Sequence, residues 1–501
     1  MESPIVSAAA MRAAEEAAFA RGVEVEALMD RAGAGVAAAV QKFFPRAGRA
    51  IVFVGKGHNG GDALVAAARL KETGWEIDLR LSFSEDDCAE LTRKKLDELR
   101  ETQCGRGLCA PTDLSIGAQR PLPHLIVLDG LLGLGAKHLL REPVRTAAQE
   151  INRLRRDENA FVFAVDMPTG LDGDTGETDP VDCVVADCTV TIGNAKHGLV
   201  IDSAINFVGR LEIVPLADLV ISPSPANDLM ACEPALRGLL PRRKFSAYKN
   251  EFGRIGVVAG SQGFVGAALM TTEGALRAGA GLVELFVPKE IYSIVAAAAP
   301  AEAMVKPVRS YRDLLDEKID VWALGPGLGT GEAKDLLRLI ERATAPMVLD
   351  ADGLNMLSTD VEILKRCAGP RLLTPHPGEM KRLFDSGKMS RAGTAKNFTE
   401  TFPVTLLYKG ARTIVAGRER PLSYNSSGNP GMATGGMGDV LTGVCAALIG
   451  QGLSLYDAAR VGAWACGRSA EIAICEARES EQSLLPRDVL TNLGRTFKEL
   501  L

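Results

Sequence analysis

Three carboxylates in this 501-residue chain stand at the edges of apolar runs with glycine close by: Asp129 before Gly130, Asp166 shortly before Gly170, and Asp439 after Gly438. The segment with most chemical content is Asn429-Pro430-Gly431-Met432-Ala433-Thr434-Gly435-Gly436-Met437-Gly438-Asp439, which runs into an apolar helical stretch. Gly435, Gly436 and Gly438 can present backbone amides as an anion nest at a helix start. Asp439 then sits where a carboxylate could take a proton from a hydroxyl beside a phosphoryl group. The plainer alternative is a glycine loop with Asp439 as a helix N-cap.

The first half carries three further segments. Val54-Gly55-Lys56-Gly57-His58-Asn59-Gly60-Gly61-Asp62 follows a strand pattern and opens a helical one, a place suited to pyrophosphate. Asp129-Gly130-Leu131-Leu132-Gly133-Leu134-Gly135-Ala136-Lys137 and Val165-Asp166-Met167-Pro168-Thr169-Gly170-Leu171-Asp172 each follow another strand pattern. Asn59, Asp129 and Thr169 could give a cation hard oxygen ligands, and Asp166 could act as a base. Taken singly, each segment also reads as turn chemistry, with Asp62 capping its helix.

In the second half, Gly260-Ser261-Gln262-Gly263-Phe264-Val265-Gly266-Ala267-Ala268 and Leu324-Gly325-Pro326-Gly327-Leu328-Gly329 are small-residue loops after strands. Thr374-Pro375-His376-Pro377-Gly378-Glu379 holds a histidine between two prolines, and Lys409-Gly410-Ala411-Arg412-Thr413 lies between two strands in a hairpin-like arrangement. Asp350 and Asp352 read equally as turn residues and as pocket carboxylates.

These residues need a frame at strand ends. Strands are predicted at Ala50–Val54, Leu125–Leu128, Phe161–Val165, Thr189–Ile192 and Leu211–Val214, with helical patterns at Asp62–Thr73 and Cys88–Glu101. A second series runs through Ile255–Ala259, Leu282–Val287, Val321–Leu324, Met347–Leu349, Leu372–Thr374, Val404–Tyr408 and Thr413–Val415, ending in a helical region from Val440. Alternation of this kind predicts parallel α/β sheets covered on both faces. The stretch Ser7 to Val40 reads as helical, with Gly33 and Gly35 allowing close packing or a break. Ser222–Asp228 has linker composition, giving expected domains at 1–220 and 241–501 joined by a linker over 221–240.

Hydrophobic residues at 47% and charged residues at 24% exclude wholesale disorder. A net charge of −6 argues against nucleic acid as the main partner. No basic n-region precedes an apolar core, and the long uncharged runs fall short of a membrane span. Ten cysteines without C-x-x-C spacing, and only five histidines, speak against a zinc cluster and for a reducing compartment. A cytoplasmic protein without membrane contact, assembling with copies of itself, is the expectation.

Taken together, the first-half motifs closely resemble the YjeF N-terminal family, the NAD(P)H-hydrate epimerases, over roughly residues 1–220. The resemblance implies a Rossmann-like three-layer domain and a potassium ion held by Asn59, Asp129 and Thr169. It also implies hydrated dinucleotide at His58, Asn59, Gly60, Gly61 and Asp62, along Gly133, Leu134, Gly135, Ala136, Lys137, His138 and Leu139, and at Asp166, which would be catalytic. His58 stands where Asn is usual and Thr169 where Ser is usual. From about Lys249 to the C-terminus the chain resembles the ribokinase-like ADP/ATP-dependent NAD(P)H-hydrate dehydratases, most closely in Asp350-Ala351-Asp352-Gly353-Leu354-Asn355, Thr374–Glu379 and Gly428–Asp439. Carried over, hydrated dinucleotide meets Ala267, Gly327, His376 and Asp439. Mg²⁺ with ADP or ATP meets Lys409, Gly410, Ala411, Arg412, Thr413 and Gly438. Phe264 replaces a usual Tyr, Tyr248 stands where a His is common, and Cys466 lies where the family often has His.

The implied chemistry is repair of NADH and NADPH that have added water across the reduced ring. The first half would interconvert the R and S epimers. The second would phosphorylate the new hydroxyl of the S form, with Asp439 as base, so that phosphate leaves and NAD(P)H returns, giving AMP and phosphate when ADP is used. Two other readings stay open: a small-molecule kinase in the second half, and a non-catalytic nucleotide- or RNA-binding module in the first.

Overall fold

Parallel strands buried on both faces read as short continuous apolar runs, and these runs build two sheets in the computed structural model, which describes residues 2–104, 124–135, 139–221, 227–329, 331, 333–476 and 479–501. The chain divides into two compact units, Pro4–Pro223 and Ser224–Leu501, the latter joined by Met1–Ser3.

The first unit has β1 (Arg49–Val54), β2 (Glu76–Leu81), β3 (Leu125–Gly130), β4 (Phe161–Val165), β5 (Cys188–Ile192) and β6 (Arg210–Val214), in the order β2-β1-β3-β4-β5-β6. All pairings are parallel. Five of these strands are the predicted ones. The sixth, β2, is an edge strand of alternating charged and apolar residues, so it lacks the apolar run that marks the others. The region Ser7 to Val40 is two helices, Ala8–Ala20 and Val25–Phe43, parted at Gly22 with its φ of +89°. Gly33 and Gly35 do not break the second helix. A Cβ on them would lie 2.5 Å from Val65 and 2.3 Å from Val214, so both serve close packing.

The second unit has β7 (Leu229–Ala231), β8 (Arg254–Val258), β9 (Leu282–Pro288), β10 (Met304–Val308), β11 (Val321–Leu324), β12 (Met347–Leu349), β13 (Arg371–Leu373), β14 (Thr405–Tyr408), β15 (Ile414–Gly417) and β16 (Ser423–Asn425). Their order is β10-β9-β8-β11-β12-β13-β14-β15-β16-β7. Pairing is parallel except at β14–β15 and β15–β16. The expected linker over 221–240 needs correction. Leu229–Ala231 is an edge strand and Glu233–Leu236 a helical turn, both in this unit. Three residues are too few to show a period, and β7 is fixed by distant partners: β16 and the Ser3 carbonyl, which accepts from Met230 N at 2.8 Å. The helix Met437–Gly450 is buried from Val440 to Ile449, and its apolar sequence on all sides fits that place.

Each sheet has a point where successive connections diverge. In the first, β1 lies between β2 and β3; in the second, β8 lies between β9 and β11. Loops leaving the carboxyl ends of such strands open a crevice, and ligands of open α/β sheets bind there. All the segments singled out in the sequence leave strands at these ends.

Candidate functional sites

In the first unit the segment after β1 is more regular than its glycines suggest. The helix runs His58–Glu72, so His58, Asn59, Gly60 and Gly61 form its first turn and Asp62 lies inside it. Asp62 is thus not the cap; Gly57 holds that place. The glycines permit this turn because backbone crosses backbone here. A Cβ on Gly55 would fall 1.9 Å from the Leu131 carbonyl oxygen, and one on Gly60 2.1 Å from that of Gly55.

Asp129, next to last in β3, is fully buried. It accepts bonds from Thr169 N (2.8 Å), the Thr169 hydroxyl (2.8 Å) and Leu131 N (3.2 Å). Burial pushes its carboxyl up to about 6 against the pull of those three donors. Asn59 faces the same loop. A Cβ on Gly133 would stand 3.1 Å from Asn59 Oδ1 and 3.3 Å from Asp166 Oδ2, while Asn59 Nδ2 is buried without a hydrogen-bond partner. Asn59, Asp129, Gly133, Asp166 and Thr169 therefore converge. Asp166 is a non-glycine residue at φ +66°, a conformation that costs backbone energy and is held by its surroundings. Leu134 gives its carbonyl to Arg12 at 2.8 Å. His58, Gly135 and Leu139 are exposed. Ala136, Lys137 and His138 lie outside the described residues.

In the second unit the helix begins at Met437, with Gly436 as N-cap at φ +93°. Asp439 is in its first turn and is not the cap. The first amides of a helix have no acceptor within it, so this end offers donors to an anion. Asp350, at the end of β12, is buried and accepts from Lys409 Nζ (2.7 Å) and the Thr442 hydroxyl (2.9 Å). A Cβ on Gly438 would lie 3.1 Å from Asp350 Oδ2 and 3.2 Å from Lys409 Nζ. Burial and then the charge of Asp350 push the Asp439 carboxyl up to about 6, with Lys409 pulling the other way. Burial works against the charge on Lys409, but Asp350, Glu379 and Asp439 outweigh it and hold the ammonium above its ordinary value.

The remaining predicted residues cluster in pairs. Ala267 and Gly327 meet: a Cβ on Gly327 would lie 3.0 Å from that of Ala267. Asp352 opens the short helix Asp352–Leu357 and accepts from Gly329 N at 2.8 Å, whereas Asp350 is the carboxylate beside Lys409 and Gly438. His376 caps the helix Pro377–Leu383. Its Nδ1 accepts from Gly378 N (2.9 Å) and Glu379 N (3.3 Å), which leaves the proton of the neutral ring on Nε2. Lys409–Thr413 connects antiparallel β14 and β15, with the Thr413 hydroxyl donating to Gly410 O at 3.1 Å.

Comparison with known proteins decides among the readings. The chain is 34% identical over 498 residues to a bifunctional NAD(P)H-hydrate repair enzyme of Moorella thermoacetica, covering 94% of this chain and 92% of that one. To the enzyme of the same name from Escherichia coli it is 34% identical over 497 residues, covering 97% and 92%. The chain belongs to the bifunctional NAD(P)H-hydrate repair enzyme family. Residues 255–492 match the family described as NAD(P)H-hydrate dehydratase, and residues 25–198 that described as YjeF-related protein N-terminus. Among solved structures, an ADP/ATP-dependent NAD(P)H-hydrate dehydratase from Bacillus subtilis covers 55% of this chain and 100% of its own, at 27% identity and a TM-score of 0.49.

Sequence reasoning missed several residues of this repair-family chain. Lys196 pairs with Asp166; its only signal was a lysine just past β5, another strand end. Arg391 Nη2 donates to the carbonyls of Tyr408 (3.2 Å), Lys409 (3.4 Å) and Arg412 (3.1 Å), bracing the 409–413 loop. Thr442, one turn beyond Asp439, had no signal at all.

Proposed function

We propose that the first unit interconverts the R and S hydrates of NADH and NADPH and that the second returns the S form to NAD(P)H with ADP or ATP. One observation carries the second step. Asp439 stands in the first turn of a glycine-opened helix, beside Lys409 and Asp350, with its carboxyl pushed up to about 6. Such a carboxylate is largely ionised at neutral pH and still basic enough to take a proton in the transition state. It removes the proton of the substrate hydroxyl as that oxygen attacks the terminal phosphorus of the nucleotide. The oxygen bridging that phosphorus then departs as AMP from ADP, or ADP from ATP. The first-turn amides and Lys409 meet the charge on the transferring group. Loss of the ring proton beside the phosphorylated carbon expels phosphate, a far better leaving group than hydroxide, and regenerates the reduced nicotinamide. Mg²⁺, arriving on the nucleotide, supplies charge neutralisation of the phosphate oxygens.

In the first unit the hydrated carbon bonds both the hydroxyl and the ring nitrogen. The nitrogen lone pair can therefore expel hydroxide, and water can return on either face. Asp166 takes the proton of that water in this reading. The Asn59, Asp129 and Thr169 oxygens suit a hard monovalent cation. The set brings together the buried Asp129 carboxylate, the Thr169 hydroxyl oxygen bonded to it and the Asn59 Oδ1 at the Gly133 loop, oxygens of the kind that would hold K⁺. Such an ion would supply local positive charge to anchor a phosphate-rich ligand. Among the described residues no helix is long and apolar enough to cross a membrane. The described cysteines are free thiols, which supports a reducing, cytoplasmic setting.

The test feeds a mixture of R and S NADH hydrate with ADP to the purified protein and follows nicotinamide absorbance. Complete recovery at enzymatic rate supports the reading. A stable phosphorylated product would favour a kinase, and recovery stalling when the S form is consumed would remove the first unit's role.

A further inference from the structure

Lys196 belongs to none of the motifs described above, yet it is wholly buried at the end of the same sheet. Its ammonium has three protons and three acceptors: Asp166 Oδ1, the Thr191 hydroxyl oxygen (2.9 Å) and the Ile192 carbonyl (3.0 Å). Asp166 Oδ1 also accepts from Ile192 N (3.1 Å) and from the Thr191 hydroxyl at a longer 3.4 Å. Every donor described to the Asp166 side chain thus falls on one oxygen. The other, Oδ2, turns toward the Gly133 loop and the side of Asn59, where a Cβ on Gly133 would approach it to 3.3 Å. The left-handed backbone of Asp166, tied by its N–H to Val190 O at 2.9 Å, sets this orientation. The loop bearing Lys196 is clamped by Val6, which donates to Ala195 O (2.9 Å) and accepts from His197 N (3.1 Å).

We propose that Lys196 is a positioning residue for epimerisation: with its neighbours it locks Asp166 Oδ1 and leaves Oδ2 presented to the reacting hydroxyl or water. This rests on the reading of Asp166 as the base of that reaction. The surroundings show why one lysine matters. Asp62, on the helix His58–Glu72, and Glu15, on the helix Ala8–Ala20, face the same pair. Burial and the Asp166 charge push both their carboxyls up, while Lys196 opposes the rise on each and Arg12 also opposes it on Glu15. Of the three carboxyls only Asp166 touches the buried ammonium; Asp62 and Glu15 feel its charge from a distance. A buried ion pair is weak evidence for a stabilising role alone, because desolvation offsets much of its Coulomb attraction.

The experiment uses the full chain and measures interconversion of R and S NADH hydrate without ADP, across pH. Lys196→Met should lower the epimerisation rate about 100-fold at neutral pH and move the acid limb of the profile up by about one pH unit or more. Lys196→Arg should restore part of the rate and return the limb toward the wild-type position. Dehydration of S hydrate with ADP, and the melting curve, report whether each variant is folded. Should Lys196→Met not fold, Thr191→Val keeps the charge and removes the hydroxyl that both groups share. It should move the limb the same way by a smaller step. A folded Lys196→Met, or failing that Thr191→Val, that epimerises at the wild-type rate with its acid limb at the wild-type pH overturns the proposal. Asp166→Asn separates the two levels of the argument: wild-type epimerisation in that variant removes Asp166 as the base, and the proposal with it.

Discussion

Replacing Asp439 by Asn exchanges one oxygen for a nitrogen and removes one charge, and its two consequences have opposite signs. In the native protein the carboxyl is raised from 3.8 to about 6, chiefly by burial and then by Asp350. A folded-state value above the unfolded one means the native state binds the proton more tightly. The group's contribution to stability is therefore full below the unfolded value and is lost as pH rises through the folded one. Each tenfold change in proton affinity is worth about 1.4 kcal/mol, so at pH 8 keeping this carboxylate ionised costs the native state roughly 3 kcal/mol. Solvent screening at a partly exposed side chain reduces this to about 1–2 kcal/mol. Asp439→Asn should accordingly raise the melting temperature by a few degrees at pH 8 and by little or nothing near pH 4. Its dehydration rate, followed by nicotinamide absorbance with ADP in excess, should fall by about 10²–10⁴ because the base is gone. Nucleotide binding, measured by calorimetry, should remain. The wild-type rate should itself drop as pH falls through about 6. Near-normal turnover in the folded variant refutes the assignment, and a destabilised variant at pH 8 refutes the electrostatic account of the site.

Asp129→Ala should impair epimerisation and its response to added K⁺ while leaving dehydration of the S hydrate within about two-fold, since Asp129 lies in the unit Pro4–Pro223; equal loss of both activities in a folded variant would point to one shared site. Arg391→Ala removes the brace on the 409–413 loop and should raise KM for ADP about ten-fold with a smaller change in kcat, measured by varying ADP at saturating hydrate. The fragment 224–501 should fold and dehydrate S hydrate, consuming R only as fast as it epimerises spontaneously, with the separate fragment 4–223 restoring fast use of R. That larger fragment lacks Glu2, which pairs with buried Arg460 at 3.2 Å, and Ser3; it should melt below the intact second unit by a step that Glu2→Ala alone reproduces in part, about 0.5–1 kcal/mol by denaturant titration.

Asp166 and Asp439 were legible because their signals are local. A βα turn that brings backbone against backbone demands glycine within a few residues of the strand, and a carboxylate at such a turn stands out in any sequence. The buried parallel strands were legible for a similar reason: no polar residue interrupts β3 before Asp129 or β4 before Asp166. The edge strands β2, β7 and β10 escaped, and with them β16 beside β7. Charged β2 and the three-residue β7 and β16 owe their conformation to a neighbour, and no local period records it.

Tertiary structure alone decided which charges meet. Lys196 reaches Asp166 across 30 residues, Lys409 reaches Asp350 across 59, and Thr442 reaches the same carboxylate across 92. Asp350 and Asp352 are near neighbours in the chain and alike in type, and only folding made one a buried partner of Lys409 and the other a tether for Gly329. His376, singled out as a contact for substrate, spends its Nδ1 on capping a helix. The sequence by itself carries the strands, the glycine turns and the carboxylates that end them, because each depends on the chain within a turn or two. What fixes the direction of those carboxylates is an ammonium or hydroxyl brought from a distant part of the chain, and Coulomb and hydrogen-bond energies depend on distance in space, which separation along the chain does not encode.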